Sequence, residues 1–164
     1  MLSIKSIEGV DSSAFKDFSC GNIELDTYLN QFARQNHKKG ISKSFIALAN
    51  DQVVGYYTLS MACIEFVKIP ADHNRGIPKY PIPVAKIGRL AVDSQYQGKK
   101  IGTALLIDAL KKIHEASKIV AAYAIVVDAK DEIAKKFYRG FGFIPYQGEL
   151  SLYLPMKTIE KLLA

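Results

Sequence analysis

The sequence predicts an α/β protein: a mixed central sheet that joins an antiparallel hairpin to a parallel strand pair, flanked by helices. Three observations carry this. Ser44–Ala49 and Val53–Phe66 are rich in β-branched and aromatic residues and flank the turn Asn50-Asp51, which reads as an antiparallel hairpin. Between Ala85 and Asp128 a strand, a Gly/Lys turn, a long helix and another strand follow one another, and such a unit closes as a right-handed parallel crossover. Ala121–Asp128 is almost continuously apolar, as a strand covered on both faces is.

The elements follow in order. Leu2–Glu8 alternates like a strand. Asn22 can cap a helix that has Glu24 and Asp26 in its first turn, where the helix dipole favours negative charge. Leu25, Tyr28, Leu29, Phe32 and Ala33 then fall on one helical face, and Gly40 is a natural stop. After the hairpin, Ile69–Pro83 holds Pro70, Pro78, Pro81 and Pro83 and reads as a loop. Ala85–Val92 is a strand, Gln97–Gly102 a turn, and Ile101–Ser117 a helix with Ile101, Ala104, Leu105, Ala109 and Ile113 inward. Glu132–Gly140 is a second helix of this half, and Ser151–Leu154 a last strand. The expected order is β-α-β-β-β-α-β-α-β.

A chain of 164 residues, 49% apolar, fits one compact domain over residues 1–164. Nothing approaches the ~20 consecutive apolar residues of a membrane span. Met1–Val10 lacks the apolar run of a signal peptide, so a cytoplasmic location is the default expectation. Cys20 and Cys63 form no CxxC and are expected as reduced, partly buried thiols. His37, His73 and His114 are scattered, and no metal site is expected.

The net charge of +6 is unevenly spread. Arg34, Lys38, Lys39 and Lys43 lie in a segment with no acid, a net +4. Lys68, Arg75, Lys79, Lys86, Arg89, Lys99 and Lys100 face only Asp72 and Asp93, a net +5, which leaves −3 for the rest. Basic charge confined to two segments is either a solvated surface or the footprint of a polyanionic partner.

The stretch Arg89–Leu106, RLAVDSQYQGKKIGTALL, carries the chemistry. A strand ends at Val92, and Gln97-Gly98-Lys99-Lys100-Ile101-Gly102 leads into a helix. Backbone amides at a helix start make an anion site, and glycine lets the backbone approach a phosphate closely. Lys99 and Lys100 add positive charge, and Thr103 can offer a hydroxyl. The pattern is neither GxxxxGK[ST] nor GxGxxG with an acid ~20 residues on. Alone, a Gly-Lys-Lys turn is weak evidence.

In context the stretch resembles motif A of the GNAT superfamily of N-acetyltransferases, [QR]-x-x-G-x-[GA] after a strand of the form RLAV. Gln97 and Gly102 match the outer positions. Lys100 stands at the middle glycine, where a right-handed helical backbone is expected to keep the amides usable. Ala134-Lys135-Lys136-Phe137-Tyr138-Arg139-Gly140-Phe141-Gly142-Phe143, after Val126-Val127-Asp128-Ala129, resembles the A-x-x-FY-x-x-x-GF signature of motif B. The resemblance implies the GNAT fold and acetyl-coenzyme A as acyl donor, held where Arg89–Val92 and Ala124–Asp128 splay apart. The residues it implies for the coenzyme are Leu90, Ala91, Val92, Gln97, Gly98, Lys99, Lys100, Ile101, Gly102, Thr103, Ala104, Asp128, Ala134 and Phe137. The pantetheine arm would pair with the Leu90–Val92 backbone and the pyrophosphate would lie on the Gln97–Thr103 amides. The Val92 amide is a candidate donor to the thioester oxygen. Tyr138 stands at the family position of the catalytic acid. A phenol, with a pKa of about 10, is protonated at neutral pH and can serve a departing thiolate of pKa about 8.5.

The first third resembles one branch of the superfamily more narrowly. Phe18-Ser19-Cys20-Gly21-Asn22-Ile23-Glu24-Leu25-Asp26-Thr27-Tyr28-Leu29 is similar to the F-x-C-G-x-x-x-L-D-x-[WY]-L opening of the GNAT toxins of bacterial toxin–antitoxin pairs. Gly55-Tyr56-Tyr57-Thr58-Leu59-Ser60 and Pro81-Ile82-Pro83 resemble them again. These toxins acetylate the α-amino group of aminoacyl-tRNA and stop translation. The resemblance therefore implies an aminoacyl-tRNA acceptor, a cognate ribbon-helix-helix antitoxin and a homodimer. A tRNA substrate needs phosphate-neutralising surface, for which Arg34, Lys38, Lys39, Arg75, Lys79 and Arg89 are the candidates. Two other readings stay open: an acetyltransferase for a protein N-terminus or small amine, and a non-catalytic acetyl-coenzyme A-binding regulator.

Overall fold

A computed structural model of the chain describes residues 1–146 and 150–164. Seven strands form a mixed sheet in the order β1-β2-β3-β4-β5-β7-β6. They are β1 (Leu2–Ser6), β2 (Lys43–Ala49), β3 (Gln52–Ile64), β4 (Ile82–Val92), β5 (Ala124–Asp128), β6 (Ile144–Pro145) and β7 (Ser151–Pro155). The helices are α1 (Ile23–Thr27), α2 (Ala33–Lys39), α3 (Ile101–Ser117), α4 (Glu132–Arg139) and α5 (Met156–Leu163). The chain divides into two compact units, residues 1–60 with 88–109 and residues 61–87 with 110–164. Among the described residues no helix is long and apolar enough to cross a membrane.

In the first unit β1, β2 and the start of β3 are antiparallel. Asn50 and Asp51 both take positive φ (51° and 63°), the pair of left-handed residues that a tight hairpin turn needs. The first strand is shorter than the alternation implied. It stops at Ser6, whose hydroxyl accepts from the Glu8 amide and turns the chain into a 3₁₀ turn over Ile7–Gly9. Asn22 caps α1 as expected, its side chain accepting from the Glu24 and Leu25 amides, and Gly40 ends α2 at φ 72°.

The helix between those caps is not regular. Tyr28–Phe32 forms a π turn between α1 and α2. One extra residue in the turn rotates the helix beyond it, so Tyr28, Leu29 and Ala33 are buried while Phe32 is 44% exposed. The expectation of one apolar face through Phe32 is corrected accordingly. The core here gathers Ile7, Phe15, Phe18, Leu29, Ile46, Tyr56 and Ala91 among others. His37 pins α2 to the sheet: its Nδ1 accepts from the Ser44 amide at 3.0 Å, and its Nε2 lies 3.0 Å from a Glu8 carboxylate oxygen.

In the second unit β4 and β5 run parallel, Ala85–Ile87 beside Ile125–Val127, as the strand–helix–strand order required. β5 pairs antiparallel with β7, and β7 with β6. β5 begins at Ala124, three residues later than the apolar run, because Ile119 and Val120 are exposed beyond α3 and the chain enters the sheet only after Tyr123. The short β6 and α5 were not expected. The Ile69–Pro83 loop holds a 3₁₀ turn, Ala71–His73, and yields to β4 already at Ile82. Cys20 is buried and Cys63 exposed, where partial burial of both was expected.

Candidate active site

The turn after β4 is built by side chains. Asp93 is buried and caps the 3₁₀ turn Ser94–Tyr96, one carboxylate oxygen accepting from the Gln95 amide at 2.9 Å. Its other oxygen accepts from the Ser19 amide at 3.1 Å, and the Ser94 amide returns a bond to the Ser19 carbonyl at 2.8 Å. The Asp93 amide donates to the Val54 carbonyl at 2.8 Å. Gln97 then closes the loop, its side-chain amide reaching the Val92 carbonyl at 3.0 Å and the Cys20 carbonyl at 3.2 Å. Gln97 is thus a clamp on the turn. Asp93 and Ser19 are supporting residues that motif matching missed; the Asp93-Ser94 pair before a turn is the capping signal that could have found Asp93.

That clamp presents Gly98 and Lys100 in left-handed backbone, at φ 81° and 64°. A side chain at Gly98 would meet nothing within 4 Å, so the backbone there is open. Lys100 contradicts the expected right-handed conformation. The turn geometry demands positive φ where the motif carries glycine, and lysine adopts it at a cost of order 1–2 kcal/mol. The first bond of α3 runs from the Ala104 amide to the Lys100 carbonyl at 3.1 Å. The amides of Ile101, Gly102 and Thr103 precede the helical ladder and are available to an anion on the positive end of the dipole. Ile101 is buried and anchors the helix start; Gly102, Thr103 and Ala104 are half-buried. Lys99 and Lys100 are exposed, with the Lys99 ammonium 5.2 Å from the Tyr96 ring centre. These residues fit a pyrophosphate: amides without an intrahelical partner, an open glycine and two lysines on one short turn. Leu90, Ala91 and Val92 end β4 directly before it.

The remaining candidates divide between the units. Arg34 donates to the Val10 carbonyl and stacks near Phe15, and the Arg89 guanidinium lies 3.4 Å over the Tyr28 ring. Both arginines are therefore engaged within the first unit. Lys38 and Lys39 are exposed there, and Arg75 and Lys79 are exposed in the second unit.

Also in the second unit, Tyr138 sits on α4 and is buried, its ring 5.3 Å from Phe137 and 5.4 Å from Phe143. Burial pushes its phenol above the ordinary range, so it stays protonated at neutral pH. Asp131 caps α4 by accepting from the Ala134 amide at 2.8 Å, which occupies the amide of that coenzyme candidate. Asp128, another candidate, spends its carboxylate on Lys86 at 2.9 Å and the Ser151 hydroxyl at 2.8 Å. Burial would raise its pKa, but these two bonds hold it below the usual carboxylate range. Among the described residues no three His, Cys, Asp or Glu side chains gather as a metal site.

A glycine-opened amide turn ahead of a helix, after a sheet strand, defines an anion-binding site in an α/β protein. The chain belongs to the Acetyltransferase (GNAT) family, whose pattern it matches over residues 9–143. It is an acetyl-coenzyme A-dependent N-acetyltransferase. It is 35% identical over 154 residues to a tRNA-acetylating toxin of Mycobacterium tuberculosis (strain ATCC 25618 / H37Rv), covering 93% of this chain and 92% of that one. Its fold is similar to that of AtaT complexed with acetyl-methionyl-tRNAfMet, with a TM-score of 0.89 at 32% identity over 100% of both chains. A tyrosine-to-phenylalanine mutant of AtaT, bound to the C-terminus of the antitoxin AtaR and acetyl-CoA, superposes with a TM-score of 0.85 at 32% identity, covering 99% of this chain and 98% of that one.

Proposed function

We propose that residues 1–164 form one cytoplasmic acetyltransferase domain that moves the acetyl group of acetyl-coenzyme A to the α-amino group of aminoacyl-tRNA, and so blocks translation until a cognate antitoxin neutralises it. The turn Gln97–Thr103 is the observation that carries the donor half. Its helix-start amides and its lysines suit the coenzyme phosphates, and the Val92 amide is the candidate donor to the thioester oxygen. The acceptor half is supported by the tRNA-acetylating relative and by the tRNA-bound neighbour. Exposed Lys38, Lys39, Arg75 and Lys79 supply phosphate-neutralising charge. The antitoxin-bound neighbour supports a protein inhibitor; the sequence resemblance implies a ribbon-helix-helix protein for it and a homodimeric enzyme.

In the reaction a carbon–nitrogen bond forms, the carbon–sulfur bond breaks, and the amine loses one proton. Tyr138 is the proposed acid. Its raised pKa makes full donation to a thiolate of pKa about 8.5 uphill, so its phenol acts as a hydrogen-bond donor to charge developing on sulfur. The proton that finally rests on the thiol is then the one the attacking amine gives up. An α-amino group, with a pKa near 8, is already partly neutral at pH 7 and needs no strong base.

The test is induced expression in bacteria. Growth should arrest with N-acetylated aminoacyl-tRNA accumulating, and Tyr138→Phe should relieve it. An active enzyme that acetylates a small amine, while growth and tRNA stay unaltered, would overturn the reading.

A further inference from the structure

The π turn gives the first unit a feature that the acetyl-transfer machinery does not use. Phe32 is 44% exposed at the end of that turn, and its ring stacks at 27° to the Tyr28 ring with centres 6.4 Å apart. Tyr28 is buried and held from two other directions. The Arg89 guanidinium lies 3.4 Å over its ring, and the Asn36 side-chain amide donates to its hydroxyl at 3.3 Å. A regular helix would have turned Phe32 toward the core with Leu29 and Ala33; the extra residue turns it to solvent. An exposed aromatic costs solvation, and this one stacks on a tyrosine whose ring also carries an arginine. The helix beyond it, Ala33–Lys39, carries Arg34, Lys38 and Lys39 and no acid.

We infer that Phe32, backed by Tyr28 and Arg89, is a stacking platform for an unpaired nucleobase at the 3′ end of the tRNA acceptor. This rests on the proposed aminoacyl-tRNA substrate and names where the single-stranded end is gripped. The chemistry fits a nucleobase better than a plain apolar group. Single-stranded RNA is held by bases stacking on aromatic rings and arginine planes while basic side chains follow the backbone. Here the ring ends the π turn, the lysines follow on α2, and the guanidinium on β4 lies over the Tyr28 ring. Phe32 acts in positioning, and its loss should leave the coenzyme turn intact.

The experiment compares wild type, Phe32→Ala and Phe32→Trp. The readouts are binding of uncharged, CCA-ended tRNA at low salt, steady-state acetylation of charged tRNA, and the thermal shift produced by acetyl-coenzyme A. A base stacked on an aromatic ring is worth about 1–3 kcal/mol on alanine substitution, or roughly 5- to 150-fold in affinity. Phe32→Ala should weaken RNA binding and raise KM for charged tRNA within that range, with kcat and the coenzyme shift near wild type. Phe32→Trp, which keeps a π face, should restore both. A tRNA truncated to remove the unpaired 3′ end should bind wild type and Phe32→Ala alike. If Phe32→Ala binds intact tRNA as tightly as wild type, the platform is wrong. A KM defect that varies with the attached amino acid while uncharged tRNA binds normally would instead give Phe32 to the aminoacyl side chain and also overturn the inference. If wild type binds tRNA through Phe32 but acetylates none, the platform stands and the proposed acceptor falls.

Discussion

Gly55 lies on β3 opposite Ala47 and ties the packing of the first unit to the coenzyme turn. A β-carbon there would lie 2.8 Å from the Ala91 carbonyl oxygen, 2.9 Å from Leu105 Cδ1 and 3.6 Å from Ile101 Cγ2. The nearest atom is backbone and cannot rotate aside, and Leu105 is fully buried. Gly55→Ala must therefore push the end of β4 or the start of α3. Overpacking of this kind costs about 1–3 kcal/mol. At roughly 2–4 °C per kcal/mol for a domain of this size, the melting temperature should fall by about 2–12 °C. The same displacement reaches the Leu90–Val92 edge and the α3 amides, so the stabilisation by acetyl-coenzyme A should shrink as well. Thermal melts with and without coenzyme read both effects. Gly9→Ala is the control, since its nearest neighbour is Lys5 Cδ at 3.6 Å and its φ is ordinary. A Gly55→Ala protein that melts within about 1 °C of wild type, with an unchanged coenzyme shift, would refute the reasoning.

Three further outcomes are expected. Lys100→Gly should raise the melting temperature slightly, because release of the left-handed strain at φ 64° outweighs the added chain entropy by up to about 1 kcal/mol; Lys100→Val should lower it. Lys38→Glu with Lys39→Glu should reduce the salt slope of tRNA binding by roughly 0.7–0.9 for each phosphate left without a basic partner, as read by binding across a salt series, while the coenzyme shift holds. His37 has its pKa lowered, first by burial and then by Lys43, against the opposing pull of Glu8. A depressed histidine contributes stability that is complete above its ordinary pKa near 6.5 and is lost as pH falls through the folded value. Melts from pH 8 to pH 5 should therefore fall below about pH 6.5, and His37→Gln should flatten that fall.

What the sequence made legible was local. Asn22 and Gly40 mark their helix because capping and positive φ are decided by a few neighbouring residues, and Ile101–Ser117 stands where its periodicity put it. The π turn was invisible, since an apolar period near 3.6 cannot announce one inserted residue. α5 was missed because its start, Pro155, offers no side-chain cap and only Ile159 of its residues is buried. The coenzyme turn was legible as a motif, yet its conformation was not: Lys100 argued for right-handed backbone, and the turn overruled it. Arg34 and Arg89 read as surface charge, but their partners, Val10 and Tyr28, are distant in sequence. Such contacts belong to the fold and leave no local trace.

The most direct measurement incubates the protein with acetyl-labelled acetyl-coenzyme A and bulk charged tRNA, then strips the tRNA and identifies the labelled product. Label should appear on the α-amino group of the released amino acid. It should depend on the protein, fall by about 10²–10³ in rate with Tyr138→Phe, and vanish when the tRNA is deacylated beforehand. Label that stays with the coenzyme in the presence of charged tRNA, yet passes readily to a small amine or a protein N-terminus, would contradict the account.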